Sequence, residues 1–136
     1  MMIIRAGGGL VQNDYGEYLL MYRNGKWDLP KGHQDDGETL AKTALREVRE
    51  ECGVTELRIG KLIGCTWHSY WTFRQLIFKQ THWFYMYTPG RPALCPQVEE
   101  GIERCCWCPP NEVAQHLLQS YPSVRWLFHR AIGETI

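Results

Sequence analysis

Gly32-His33-Gln34-Asp35-Asp36-Gly37-Glu38-Thr39-Leu40-Ala41-Lys42-Thr43-Ala44-Leu45-Arg46-Glu47-Val48-Arg49-Glu50-Glu51-Cys52-Gly53-Val54 is the most informative run of this chain. Residues 32–38 are turn-rich, and residues 39–52 carry the periodicity of a helix. At about 100° per residue, Ala41, Ala44, Leu45, Val48 and Cys52 fall in one narrow arc, which predicts an amphipathic helix. Thr39 is placed to cap its start, and Gly53 to take the left-handed conformation that ends it.

The polar face of that helix breaks two local rules in one place. Glu47, Glu50 and Glu51 stand at i, i+3 and i+4, opposite the apolar arc, so three like charges crowd one face. They also occupy the last turns, where the helix dipole disfavours anions. Conflicts of this kind mark function more often than fold. A hard divalent cation resolves both, because magnesium takes oxygen ligands, keeps several waters and is held by carboxylates together with substrate phosphates. The structural alternative is a solvated face paired with Arg46 and Arg49, and the helix alone does not separate the two.

The wider spacing does. It runs Gly32, five residues, Glu38, seven residues, Arg46-Glu47, aliphatic Val48, one residue, Glu50-Glu51, one residue, Gly53 and aliphatic Val54. With fixed identities at average frequencies of about one in fifteen, a chance match is on the order of one in 10⁸ per start position. The pattern resembles the Nudix box at every position. The resemblance implies an α/β (α+β) fold, an α/β/α sandwich with a mixed central sheet, as a single domain over residues 1–136. It implies a hydrolase that cleaves a pyrophosphate linkage in a nucleoside diphosphate joined to another moiety. Magnesium is the implied cofactor, with manganese as the substitute.

By position, Glu47, Glu50 and Glu51 resemble the family's metal-binding glutamates, and Gly32 the loop glycine whose carbonyl joins the metal shell. Glu38 and Arg46 resemble the pair that ties loop to helix, and Arg46 is counted among the catalytic set. The general base is read as Glu47 or Glu50 within the box. Glu100, in the acidic stretch Gln97-Val98-Glu99-Glu100-Gly101-Ile102-Glu103, is the candidate outside it, as base or extra metal ligand. Metal ions would neutralise the diphosphate oxygens and lower the pKa of a bound water, and a carboxylate would take its proton. No Ser or Cys nucleophile is required.

Pro30-Lys31-Gly32-His33 resembles the diadenosine tetraphosphate hydrolase branch, which implies that Lys31 and His33 face a phosphate chain. A dinucleoside polyphosphate is thus one substrate reading, and a nucleoside triphosphate or nucleotide sugar the other. A reading of another class is a catalytically silent nucleotide-binding sensor. Such domains commonly lose metal glutamates, and all three are present here. Thr66-Trp67-His68-Ser69-Tyr70 and Pro96-Gln97-Val98-Glu99-Glu100-Gly101 resemble a bacterial Nudix group. Lys79 alternates with Thr81 and Trp83 on one strand face and is a phosphate candidate. Tyr70, Trp27 and Trp71 border predicted loops and are candidates for stacking on a base. Core packing is the competing role for any one aromatic.

Further out, residues 2–6 and 17–23 read as strands around a turn at Asn13-Asp14-Tyr15-Gly16, and residues 24–38 as a structured loop. Residues 57–71 and 74–88 read as two longer strands. Pro89-Gly90-Arg91-Pro92 interrupts the pattern. A strand over 102–108, a short helix after Pro109-Pro110-Asn111 and a last helix over 122–132 complete it, with Pro suited to the first turn of both helices. The order suggests a mixed sheet flanked by helices.

Composition sets the outer limits. The chain has 136 residues and is 44% apolar, which suits one compact domain and argues against disorder. Fifteen basic residues balance fifteen acidic ones, so no long nucleic acid is expected as partner; a small nucleotide is. No apolar run of ~18 residues exists, so no membrane span is expected. The start does not read as a signal peptide, and the cytoplasm is the expected compartment. A homodimer is compatible with the sequence, symmetric dimers being common. Of the six cysteines, Cys105, Cys106 and Cys108 cluster around Trp107. They lack a second ligand pair at zinc-finger spacing, so a half-buried strand with reduced thiols is the favoured reading.

Overall fold

A computed structural model describes residues 1–133. Its strands are β1 (Met2–Gln12), β2 (Tyr18–Arg23), β3 (Lys26–Asp28), β4 (Lys31–His33), β5 (Arg58–Thr72), β6 (Gln75–Tyr87) and β7 (Arg104–Cys108). Its helices are α1 (Leu40–Cys52), α2 (Val113–Leu117) and α3 (Pro122–Ile132), with 3-10 turns at Val98–Glu100 and Pro110–Glu112. The strands run β3-β2-β1-β6-β5 across one mixed sheet, with β4 pairing β1 and β7 pairing β2. β1 and β6 are parallel, from Met2 opposite Ile77 to Gln12 opposite Tyr87; the other pairings are antiparallel.

Strand alternation divides the core into two layers. Leu19 and Met21 of β2 point to one face, with Val11, Met86 and the Ala44, Val48 and Cys52 stripe of α1. Tyr18 and Leu20 point to the other, with Leu10, Trp83 and the apolar residues of α2 and α3. Helices therefore cover both faces, and the expected sandwich is the fold observed. Thr39 Oγ1 accepts from the Lys42 amide at 3.2 Å, and Gly53, at φ 78°, closes α1 by donating to the Arg49 carbonyl. Both caps are the ones expected.

Two expectations are corrected. β1 does not stop at residue 6 but continues through Gly7-Gly8-Gly9 to Gln12. Glycine has low strand propensity, yet here α1 lies directly on the strand. A Cβ on Gly7 would stand 2.6 Å from the Leu40 carbonyl oxygen and 2.9 Å from the Ala44 nitrogen. Residues 24–38 are not only loop, because β3 and β4 lie within them. Strands this short show no periodicity; β3 closes a hairpin with β2 across Asn24-Gly25, both at positive φ, and β4 pairs the more distant β1. No helix among the described residues is long and apolar enough to cross a membrane.

Gly7→Val forces α1 off β1. It should destabilise the fold by about 1–3 kcal/mol, read as a lower urea midpoint. An unchanged midpoint contradicts this close packing.

Candidate active site

The start of the site is β4, which places the backbone of residues 31–33 against β1 and under α1. Gly32 lies against the Glu47 side chain, and a Cβ at this position would fall on the Glu47 carboxylate. Loop and helix meet this closely because residue 32 carries no side chain.

Arg46 joins the two. Its Nε donates to Glu38 Oε2 at 2.7 Å and its Nη2 to Glu38 Oε1 at 2.9 Å, a bidentate pair. Nη2 also reaches the His33 carbonyl at 2.9 Å, while Nη1 donates to Glu47 Oε1 at 2.7 Å and lies 3.4 Å from Glu50 Oε2. Glu38 further accepts from Thr43 Oγ1 at 2.8 Å and from the Asp35 amide at 3.0 Å. These donors, Arg46 foremost, hold the Glu38 carboxyl at about 2, well below its ordinary 4.5. The pair expected from the sequence is thus in contact: Arg46 reaches the cleft, and Glu38 stands behind it.

Glu51 is 5% exposed, and its Oε1 accepts the Lys31 amide at 3.0 Å. Burial pushes its carboxyl up to about 7, against the pull of that amide and of Arg23 and Lys31. Burial also raises Glu47, with Arg46 opposing. Two carboxylates are therefore held in surroundings that penalise their charge. Among the described residues, no three His, Cys, Asp or Glu side chains converge closely enough to hold a metal as they are placed. Glu47 turns to Arg46 and Glu51 to the Lys31 amide, so the three glutamates share a cleft without meeting at one point.

That cleft has a volume of about 360 Å³. Glu47, Glu50 and Glu51 line it with Gly32, His33 and Arg46; Arg23, Lys31, Lys79 and Glu100 line it as well. Lys31 Nζ pairs with buried Asp28 at 2.8 Å. Lys79 forms no ion pair among the described residues, and burial, then the charge of Lys31, lowers its pKa. A second chamber of about 380 Å³ adjoins and shares Arg23, Lys31, Lys79 and Glu100. Thr81 and Trp83, which alternate with Lys79 as expected, line it together with Thr66, Trp67, His68 and Tyr121.

The sequence candidates therefore sort by position. Lys31, His33, Lys79 and Glu100 reach the cleft with the glutamates. Tyr70 lines neither chamber; its ring centre is 5.9 Å from that of His68, which does line one. Trp27 takes the competing role, a core residue 9% exposed and packed on Tyr22 and His116. Trp71 lies 71% exposed near the β5–β6 turn, outside both chambers. Arg23 and Tyr121 belong to no motif; the end of β2 brings in the first and the start of α3 the second. Cys105 faces the α1 layer while Cys106 and Cys108 face the other, so the three do not converge on one point.

A family profile described as NUDIX domain matches residues 2–127. The chain belongs to the Nudix family. Members generally use divalent metal ions. Among curated relatives, a MutT4 protein of Mycobacterium tuberculosis is 33% identical over 93 residues, 67% of this chain and 36% of that protein. An asymmetrical bis(5'-nucleosyl)-tetraphosphatase of Mus musculus is 45% identical over 47 residues, 32% of either chain. This Nudix chain thus spans about a third of the length of either relative. Among solved structures, a C. elegans Ap4A hydrolase in binary complex superposes with a TM-score of 0.72 at 21% identity, covering 95% of both chains. The NUDIX domain of Shewanella oneidensis NrtR, complexed with ADP ribose, does so at 0.74 and 19%, covering 95% of this chain and 86% of that one. At these identities the likeness is one of fold.

Glu38 is more acidic in the folded chain than its ordinary 4.5. Its ionised form therefore stabilises the native state above about pH 4.5, and that contribution is lost as pH falls toward 2. The urea midpoint of the Glu38→Gln variant should fall less steeply than that of the parent across this window. Parallel curves contradict the Arg46–Glu38 tie.

Proposed function

We propose that this Nudix domain is a magnesium-dependent hydrolase that cleaves a phosphoanhydride in a small nucleotide. One observation carries the reading: three glutamates from the last turns of α1 line the same cleft as Arg23, Lys31 and Lys79. Anionic and cationic groups so arranged suit a divalent ion beside a phosphate chain.

The residues fit such an ion. Glu47, Glu50 and Glu51 offer hard oxygen donors and Gly32 a carbonyl, while a cation would offset the penalty that burial places on Glu47 and Glu51. Because Glu38 holds Arg46 by two hydrogen bonds of its own, Glu47 can leave Arg46 without freeing it. When bound, the metal would neutralise phosphate oxygens and acidify a water. Lys31 and Lys79 would bind the phosphate chain, with Asp28 holding Lys31 in place. The proton acceptor is assigned to the group formed by Glu47, Glu50 and Glu100, all of which line the cleft.

For the substrate we favour a dinucleoside polyphosphate over a nucleoside triphosphate or nucleotide sugar. The two chambers adjoin at the three cations, which suits a ligand with several phosphates crossing them. Aromatic Trp67, His68 and Tyr121 in the second chamber suit a base. The names of the C. elegans Ap4A hydrolase and the ADP ribose complex of NrtR support a nucleotide as the ligand class.

A panel of dinucleoside polyphosphates, nucleoside triphosphates and nucleotide sugars with magnesium, products identified, tests this reading. Turnover should be highest with the first class. Glu51→Gln should lower kcat on the order of 10²–10³-fold with an unchanged far-UV spectrum. Silence across the panel with tight nucleotide binding points instead to a sensor module. Lys79→Ala should raise KM roughly 10-fold with little change in kcat. An unaltered KM removes Lys79 from the phosphate path.

A further inference from the structure

Cys52 and Cys105 have no part in the chemistry above, yet the fold brings them together across 53 positions of sequence. Cys52 is the last residue of α1, directly after Glu51, and is fully buried. Cys105 lies on β7, opposite Met21 of β2, and is partly exposed. Alternation along β7 turns Cys105 toward the α1 layer and its neighbours Cys106 and Cys108 toward the other. The two sulfurs stand 3.1 Å apart. A disulfide needs about 2.05 Å, so small side-chain movements close the gap. The backbone around the pair is already tied. The Cys95 amide donates to the Cys52 carbonyl at 2.9 Å, and the Gln97 amide to the Glu51 carbonyl at 3.0 Å.

We propose that Cys52 and Cys105 form an oxidation site: peroxide converts this dithiol into a reversible intramolecular disulfide that fastens the end of α1 to β7. The partly exposed Cys105 is the point of attack. Its sulfur bonds to one peroxide oxygen, the O–O bond breaks, and the second oxygen takes the Cys105 thiol proton and leaves as water, giving a sulfenic acid. The Cys52 sulfur then bonds to the Cys105 sulfur and displaces the sulfenic oxygen, which takes the Cys52 proton and leaves as water. Two thiols and one peroxide give one disulfide and two waters. The bond closes next to the turn that carries Glu50 and Glu51, so it fixes the carboxylate face against the sheet.

The test uses the full chain, freshly reduced, exposed to hydrogen peroxide and mapped by mass spectrometry after thiol blocking. The expected product is one cross-linked peptide pair containing Cys52 and Cys105, reversed by dithiothreitol. Closing so long a loop should raise Tm on the order of 10 °C. That rise should vanish in Cys105→Ser and persist in Cys65→Ser. Recovery of Cys52 and Cys105 as free thiols while exposed Cys95 is consumed would overturn the proposal. So would over-oxidation of Cys105 without a cross-link, or pairing of Cys52 with Cys95. The mapping needs neither variant to fold and no catalytic activity, so its outcome is separate from that of the hydrolase assay.

Discussion

The site rests on a single guanidinium. Arg46 is planar and presents its donors in a fixed fork, which a lysine could not reproduce. One edge holds Glu38 and the His33 carbonyl, fixing the loop to the helix; the remaining nitrogen reaches Glu47 and Glu50. That tie adds to the pairing of β4 with β1 and the Lys31 amide on Glu51, which together press Gly32 against a carboxylate. With it, glutamates that repel one another are kept on the wall of a cleft.

The sandwich supplies what Arg46 cannot. α1 packs on β1 where glycines leave no side chains between them, which sinks the helix and its last-turn glutamates toward the sheet. β6 runs parallel to β1 and carries Lys79 into the same cleft, while β2 ends at Arg23. Carboxylates from one layer and cations from the sheet thus meet at one opening. Half-buried Lys79 forms no ion pair among the described residues, which leaves its ammonium available to an anion.

The box was legible because every part of it is local. Periodicity, caps and the i, i+3, i+4 glutamates lie within one helix and the loop before it, and the structure has Thr39 and Gly53 in the roles their spacing gives them. The strand through Gly7-Gly8-Gly9 was not legible, since it forms by pairing with the distant β6 and β4 and its glycines answer to a helix lying on it. Nor was β4, which depends on the distant β1; β3 instead closes a hairpin with β2 across Asn24-Gly25, a local turn signal that the loop reading of 24–38 passed over. Arg23 and Tyr121 carry no motif, and the Cys52–Cys105 contact joins residues that no short pattern connects. Tyr70 stands two residues beyond His68, which with Thr66 and Trp67 of the same strand lines a chamber. Strand alternation restricts a face but does not say how far along the strand a cleft extends.

The account depends on the carboxylate face of α1 seating a divalent ion. Crystals of the chain soaked with manganese and a slowly hydrolysed nucleotide measure this directly, through the anomalous scattering of the metal. The account predicts a manganese peak bounded by Glu47, Glu50, Glu51 and the Gly32 carbonyl, with phosphate oxygens completing its shell. Nucleotide bound in the cleft with Glu47 still paired to Arg46, and no metal beside it, would contradict it.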